Sequence, residues 1–380
     1  MPEKTESRQN FQPSLRALLT VSVFVLLTGG AFLLNLLLPS PDTLVSERRK
    51  PAAFPQFSAA SLMSHEFMDG FNKYAADNFV FRDGLRTTRA VSVFDVFRQT
   101  DKTGLYFDDL VGAGKFEKVN ESSIRKAAAK INKLSGFLPG LDLYYSFIPD
   151  KSVYARRFFP GFDPEPLRQI LTAELGDMQF IDLSEVLTAN DYYRTDLHWD
   201  QARLGGVLDT LGSAMGFSGR LDKDFATRNA GTFNGVYTGQ LALPQPPDTL
   251  FYLTSPALDK ATVSYFEAMT LEWVPGPMYD LEAAGGRDPY DIFLSGTKAL
   301  ITIENPAADT KRQLYLFRDS FSSSLAPLLT SAYARITIID MRYIDSRILE
   351  NYVTFAESDA DVLFLYSSQV LNNADILMVN

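Results

Sequence analysis

The chain has 380 residues, enough for one large or two modest domains, and its apolar (46%) and charged (22%) shares are those of a protein that buries a real core. A net charge of −10, with no block of lysine and arginine, leaves no basic footprint for nucleic acid. The lack of cysteine excludes disulfides, thiolate metal sites and cysteine nucleophiles while leaving the redox compartment open; with only two histidines, neither a zinc site nor any other metal or organic cofactor is expected.

Residues 1–16 read as a polar cytoplasmic tail. From Ala17 to Leu38 the sequence runs without a charge, which meets the roughly 20 apolar residues that one helix needs to cross a bilayer. A cleaved signal peptide has a shorter apolar core and a small-x-small cleavage site, so this span reads as an uncleaved, single-pass transmembrane anchor in the cell membrane. Lys4, Arg8 and Arg16 precede it and Arg48, Arg49 and Lys50 follow it, a tie by count. Arg16 abuts the span, whereas the distal cluster sits within a linker, so the bulk of the chain is expected on the extracytoplasmic side.

Residues 39–58 form that linker, interrupted by Pro39, Pro41, Pro51 and Pro55. Residues 59–104 are expected to be a helical N-terminal cap. Leu62, Phe67, Phe71 and Tyr74 recur at helical spacing over Ala60–Phe79, and Val91, Phe94 and Phe97 do so over Leu85–Phe97. His65 falls here without a constellation around it and reads as a structural or surface residue.

Residues 105–380 read as one α/β domain. A basic amphipathic helix (Ser122–Leu138) precedes an apolar strand (Leu141–Ile148). A helix over Pro164–Leu175, a strand over Gln179–Leu183 and a helix over Gln201–Met215 follow. Strands are again expected over Leu300–Glu304, Gln313–Phe317, Arg335–Asp340 and Val362–Tyr366, which implies a mostly parallel sheet with helices on both faces. Between them, 229–277 is rich in Gly and Pro and reads as a loop-rich or β-hairpin insertion bordering a binding cleft. Its Tyr237, Tyr252 and Tyr265 either stack on sugar rings or pack the scaffold.

Chemistry concentrates at two places. In Thr195-Asp196-Leu197-His198-Trp199, an extended backbone puts Asp196 and His198 on one side, so the carboxylate can orient the imidazole as in an acyl-transfer triad. Downstream, the apolar run ending at Phe317 breaks at Arg318-Asp319-Ser320 before a helix expected over Ser322–Ala332. A serine at such a strand-to-helix turn is a candidate nucleophile, with the backbone N–H groups of Ser320 and Phe321 as oxyanion donors. Each signal has a structural reading as well: Asp-x-His as a satisfied pair, and Asp-Ser as a helix cap. Their joint occurrence favours catalysis by Ser320, His198 and Asp196. Arg342 and Tyr343 follow a strand at its carboxyl end and, with Trp199, are candidates for substrate contact. Arg342 either holds an anionic group or pairs with Asp340 or Asp345.

Thr195–Trp199, Phe317–Phe321 and Ile339–Tyr343, together with the anchor and Asn78-Phe-Val-Phe-Arg82-Asp83, resemble the DHHW proteins and the alginate O-acetyltransferase family. The resemblance covers most of the chain after the anchor. It implies an SGNH-hydrolase-like (flavodoxin-like) catalytic fold in circularly permuted motif order, with Ser320 as nucleophile, His198 as base and Asp196 as its orienting acid. It also implies acetyl transfer to an extracytoplasmic polysaccharide, beside a multi-spanning membrane acyltransferase that supplies the acyl group. Leu197 stands where the family has its first histidine, and the glycine and asparagine blocks of ordinary SGNH hydrolases are missing. Two other expectations therefore stand beside the transferase: a carbohydrate esterase, and a non-catalytic, membrane-tethered glycan-binding or scaffold module.

Overall fold

The computed structural model describes residues 14–156 and 161–380, so Lys4, Arg8 and most of the polar tail lie outside the described residues. The chain divides into two units, Met1–Arg86 and Thr87–Asn380.

In the first unit, α1 (Leu15–Leu37) starts at Ser14, whose side chain accepts from the Ala17 N–H, and none of its residues is buried. It is long and apolar enough to cross a membrane. Three helices follow: α2 (Ala59–Met63), α3 (Glu66–Asn78) and α4 (Arg82–Val91), which leads into the second unit. Two carboxylates organise the polar interior. Asp77 takes the Arg49 guanidinium in a fork at 2.5 and 2.6 Å, and Glu47 takes Arg49, Arg82 and Arg86 at 2.8, 2.5 and 2.9 Å.

The second unit opens with an antiparallel meander of β1 (Asp101–Lys102), β2 (Leu105–Asp108) and β3 (Gly112–Lys115). Alternating helices and strands follow: α5 (Glu121–Ser135), β4 (Asp142–Ile148), α6 (Glu165–Glu174), β5 (Gln179–Phe180) and α7 (Gly205–Met215). The stretch 229–277 divides in two. β6 (Ala226–Phe233) and β7 (Asp248–Thr254) pair as a separate ribbon flanking α8 (Val236–Leu241), while β8 (Thr262–Glu267) and β9 (Glu272–Gly276) join the main sheet. Helix α9 (Pro256–Lys260) links the two pairs, and β10 (Leu300–Glu304), β11 (Gln313–Arg318), β12 (Arg335–Ile339) and β13 (Ala360–Ser367) complete the sheet.

The eight strands lie in the order β5-β4-β13-β11-β12-β10-β8-β9. The first five run parallel, and β10, β8 and β9 extend the sheet antiparallel. The inner strands are apolar throughout because both faces are covered. On β13, Val362, Phe364 and Tyr366 enter the core beneath α5 and α6, whereas Leu363 and Leu365 enter the core beneath α7. On β11, Tyr315 and Phe317 face the first core and Leu314 and Leu316 the second. This period-two alternation between two cores is the pleat itself.

Two expected elements are shorter than the apolar pattern suggests. The helix after Ser320 is α10 (Ser322–Leu325) followed by a 3-10 turn over Ala326–Leu329, because Pro327 brings no N–H to continue an α-helix. Strand β5 pairs over two residues only, at the sheet edge.

Candidate active site

Strand β11 lies between β12 and β13 and delivers Arg318, Asp319 and Ser320 at the carboxyl end of the parallel sheet. Asp319 is a buried clasp: one carboxylate oxygen accepts from Phe321 N at 3.1 Å, and the other from Ser367 N, at the end of β13, at 2.6 Å. The Phe321 N–H, expected as an oxyanion donor, is thereby committed. Ser320 N has no hydrogen-bond partner among the described residues. Trp199 is fully buried, and its indole N–H donates to Phe321 O (2.9 Å) and Ser324 Oγ (3.0 Å). It braces the turn from beneath and does not face a substrate.

The segment that carries Asp196 and His198 belongs to no long element. An isolated bridge pairs Tyr192 with Trp199, and Tyr193 N donates to His198 O at 3.0 Å, closing a narrow loop. Within it Asp196 Oδ1 lies 2.7 Å from His198 Nδ1 and accepts the His198 N–H at 3.1 Å, while Oδ2 accepts from Val236 N at 2.9 Å. His198 Nε2 lies 2.8 Å from Ser320 Oγ. The three side chains thus form a continuous hydrogen-bonded line. Burial alone would raise the Asp196 carboxyl, but His198 and the two backbone donors outweigh it and hold it well below the usual carboxylate range. The imidazole stacks on Tyr290 with centroids 3.8 Å apart, and the Tyr290 hydroxyl bonds Ser324 Oγ at 2.9 Å. Leu197 packs into apolar clusters beside the loop.

Four residues outside the sequence-predicted candidates hold this loop. The first is Lys151, 1% exposed, whose ammonium donates to Tyr193 O (2.8 Å), Arg194 O (3.2 Å) and Asp196 O (2.7 Å). Burial lowers its pKa to about 8, against the opposing pull of Asp196, Asp150 and Asp248. Asp248 is the second, accepting from Arg194 N (2.9 Å) and from Thr195 N (2.7 Å) and Oγ1. The third is Gly235, where a Cβ would stand 2.3 Å from Thr195 O and 2.4 Å from Asp196 Cβ. The fourth is Gly112, at φ +75°, where a Cβ would stand 2.2 Å from Arg194 O. Lys151 alone had a findable signal, since it follows β4 at the sheet's carboxyl end.

The remaining candidates do not converge on Ser320. Arg342 forks onto Asp340 at 2.9 and 2.7 Å, so its guanidinium is committed to that pair and not to a free anion. Tyr343 beside it is half exposed. Tyr237 is buried with its ring 5.3 Å from the Lys151 ammonium, Tyr265 is buried with its hydroxyl on Pro277 O, and Tyr252 packs on Tyr279. All three serve the scaffold. Among the described residues no group of three or more acidic or histidine side chains is arranged to hold a metal.

No family model matches the chain, and no curated protein matches it. Solved structures do. A DHHW family protein from Eubacterium siraeum superposes with a TM-score of 0.58 at 17% identity, over 73% of this chain and 95% of that one. Bacillus cereus PatB1 with a sulfonyl adduct gives 0.56 at 20% identity, over 70% and 95%, and PatB1 without it gives 0.54 at 19%, over 70% and 96%. At these identities the likeness is one of fold. The chain shares its α/β fold with a DHHW family protein, as the resemblance of Thr195–Trp199, Phe317–Phe321 and Ile339–Tyr343 implied.

Proposed function

We propose that the chain is a membrane-anchored serine O-acyltransferase acting outside the cytoplasm on hydroxyl groups of a polysaccharide. The observation that carries this reading is the line Asp196–His198–Ser320 at 2.7 and 2.8 Å, ending on a serine that is not fully buried. A glycan-binding or scaffold module has no need of that alignment.

In the proposed reaction, His198 Nε2 takes the Ser320 proton as Oγ attacks the acyl carbon of a donor ester or thioester. The Ser320 N–H is the backbone donor left for the resulting oxyanion. As the tetrahedral adduct collapses, the imidazolium gives its proton to the leaving oxygen or sulfur, leaving an acyl-serine. A sugar hydroxyl then attacks that ester, passing its proton to His198, and Ser320 recovers the proton as the product ester departs. Asp196 keeps Nδ1 protonated and stabilises the imidazolium throughout. Water in place of the sugar would make the same site an esterase.

Residues 17–38 form the anchor, 39–58 a linker, 59–104 a helical cap and 105–380 an SGNH-like catalytic domain in permuted motif order, Asp and His before Ser. A multi-spanning membrane acyltransferase supplies the acyl group.

PatB1 was solved with a sulfonyl adduct, and the corresponding chemistry tests this chain. A sulfonyl fluoride modifies a serine whose proton a neighbouring base removes. The full chain in detergent, treated with phenylmethylsulfonyl fluoride, is expected to gain one phenylmethylsulfonyl group on Ser320 and lose hydrolysis of a chromogenic acetyl ester. Both effects vanish in His198→Ala. Absence of labelling, or labelling indifferent to His198, overturns the proposal.

A further inference from the structure

Near its carboxyl end the apolar helix α1 carries one polar side chain, Asn35. The Asn35 amide nitrogen donates to Ala31 O at 2.9 Å, and its oxygen accepts from Val80 N at 2.8 Å. The second bond brings the Phe79–Phe81 turn against the end of α1. A 23-residue helix spans about 34 Å, slightly more than a hydrocarbon layer of about 30 Å, so Asn35 falls within about one turn of the layer's edge. The turn therefore stands at the level where hydrocarbon gives way to headgroups.

Its surface is inverted relative to one that faces water. Phe79 is 41% exposed, Phe81 72% and Leu85 53%, whereas the intervening Arg82 turns inward, its side chain 13% exposed on Glu47 and Asp77. Charged side chains inside with aromatic ones outside is the reverse of the usual distribution. Phe81 also holds φ at 58°, a left-handed conformation that is strained for a non-glycine residue. The side chain is 72% exposed, so packing against the described residues does little to offset that strain. Insertion of the ring among lipids would, and Phe and Leu side chains form the buried apolar face of segments that lie in the bilayer interface.

We infer that Phe79, Phe81 and Leu85 form a second membrane contact, a wedge seated in the bilayer interface beside the end of α1. The inference rests on reading α1 as an anchor. The wedge adds a lateral foothold that limits tilting of the first unit about the single span.

The chain has no cysteine, so one introduced cysteine carries a unique spin label. The test uses the full chain in phosphatidylethanolamine/phosphatidylglycerol vesicles, with nitroxides at Phe81→Cys, Leu85→Cys, Val25→Cys in α1 and the water-facing control Lys73→Cys. Collision rates with oxygen and with a water-soluble nickel chelate are compared. The expected result is an oxygen-to-nickel ratio at positions 81 and 85 about tenfold above that at 73 and close to that at 25. Aqueous behaviour at 81 with lipid behaviour at 25 overturns the wedge and leaves the anchor standing. Aqueous behaviour at 25 as well sinks the anchor reading and the wedge with it. Shielding of 81 from both reagents overturns the wedge in favour of a protein partner or second copy. Circular dichroism of each labelled chain confirms that the fold is retained.

Discussion

The two halves of the candidate site are built by opposite means. The Ser320 turn is local: a buried strand ends, Asp319 clasps the amide two residues on, and a short helix begins. The Asp196–His198 segment is a narrow loop between short 3-10 turns and is held by residues 40 or more positions away, Lys151, Gly235 and Asp248 among them. A strand-to-helix turn carries its own positioning. His198, on an irregular loop, borrows it, and its loop is the softer half.

The largest expected effect tests the halves together. Ser320→Ala and His198→Ala should each lower acyl-ester turnover by on the order of 10³-fold or more with the fold intact by circular dichroism, and the double variant should lose little further, since the pair acts as a unit. Additive losses would show that the two side chains do not cooperate.

Next come substitutions remote from Ser320 that press on the loop alone. Gly235→Ala puts a methyl group where only backbone can yield, displacing Asp196; about 10²-fold loss of kcat is expected with sulfonyl labelling slowed in proportion. Lys151→Met takes the ammonium donor from the buried Tyr193 and Asp196 carbonyls, while Arg194 O keeps the Ala113 N–H, and it relieves a buried charge. These terms oppose, so stability should fall by only about 1–3 kcal/mol while activity falls roughly 10–100-fold. A stability loss without an activity loss would show that the loop is held adequately by the backbone.

The pH dependence sharpens the same point. The Lys151 pKa is about 8 in the fold, against an ordinary value of 10.5, so the unfolded chain binds the extra proton between those values. The penalty is full below about pH 8 and is relieved as pH rises toward 10.5. The Tm of the wild-type chain should therefore gain on that of Lys151→Met across this window. For Asp196, whose folded pKa is depressed, the contribution to stability is present above its unfolded pKa and is lost as pH falls through the folded one. The stability gap between the wild-type chain and Asp196→Asn should accordingly narrow as pH falls below about 4. The smallest effect is Tyr290→Phe, which removes one hydroxyl bond to Ser324 and keeps the ring stacked on His198; about 1 kcal/mol or less is expected.

Much of the fold was legible in the chain because burial on both faces forces an unbroken apolar run. Asp142–Ile148, Gln313–Arg318 and Ala360–Ser367 could hardly be anything but inner strands. The antiparallel extension by β10, β8 and β9 was not legible, because strand direction is set by the path of the connections and leaves no trace in strand composition. Nor was the burial of Trp199, since a side chain's distant neighbours are invisible to local spacing; the pairing of Arg342 with Asp340, two positions away, was one of the readings that spacing allowed.

By itself the sequence determined residue types and local order: an apolar span, two-sided strands, Asp two positions before His, and Ser at a strand end. The meeting of Asp196, His198 and Ser320 was decided by tertiary structure. A 122-residue separation between His198 and Ser320 closes to 2.8 Å only because Lys151, Gly112, Gly235 and Asp248 hold one loop against the end of another element's strand. Contacts of that kind depend on three-dimensional complementarity, and a lone lysine, aspartate or glycine advertises none of it.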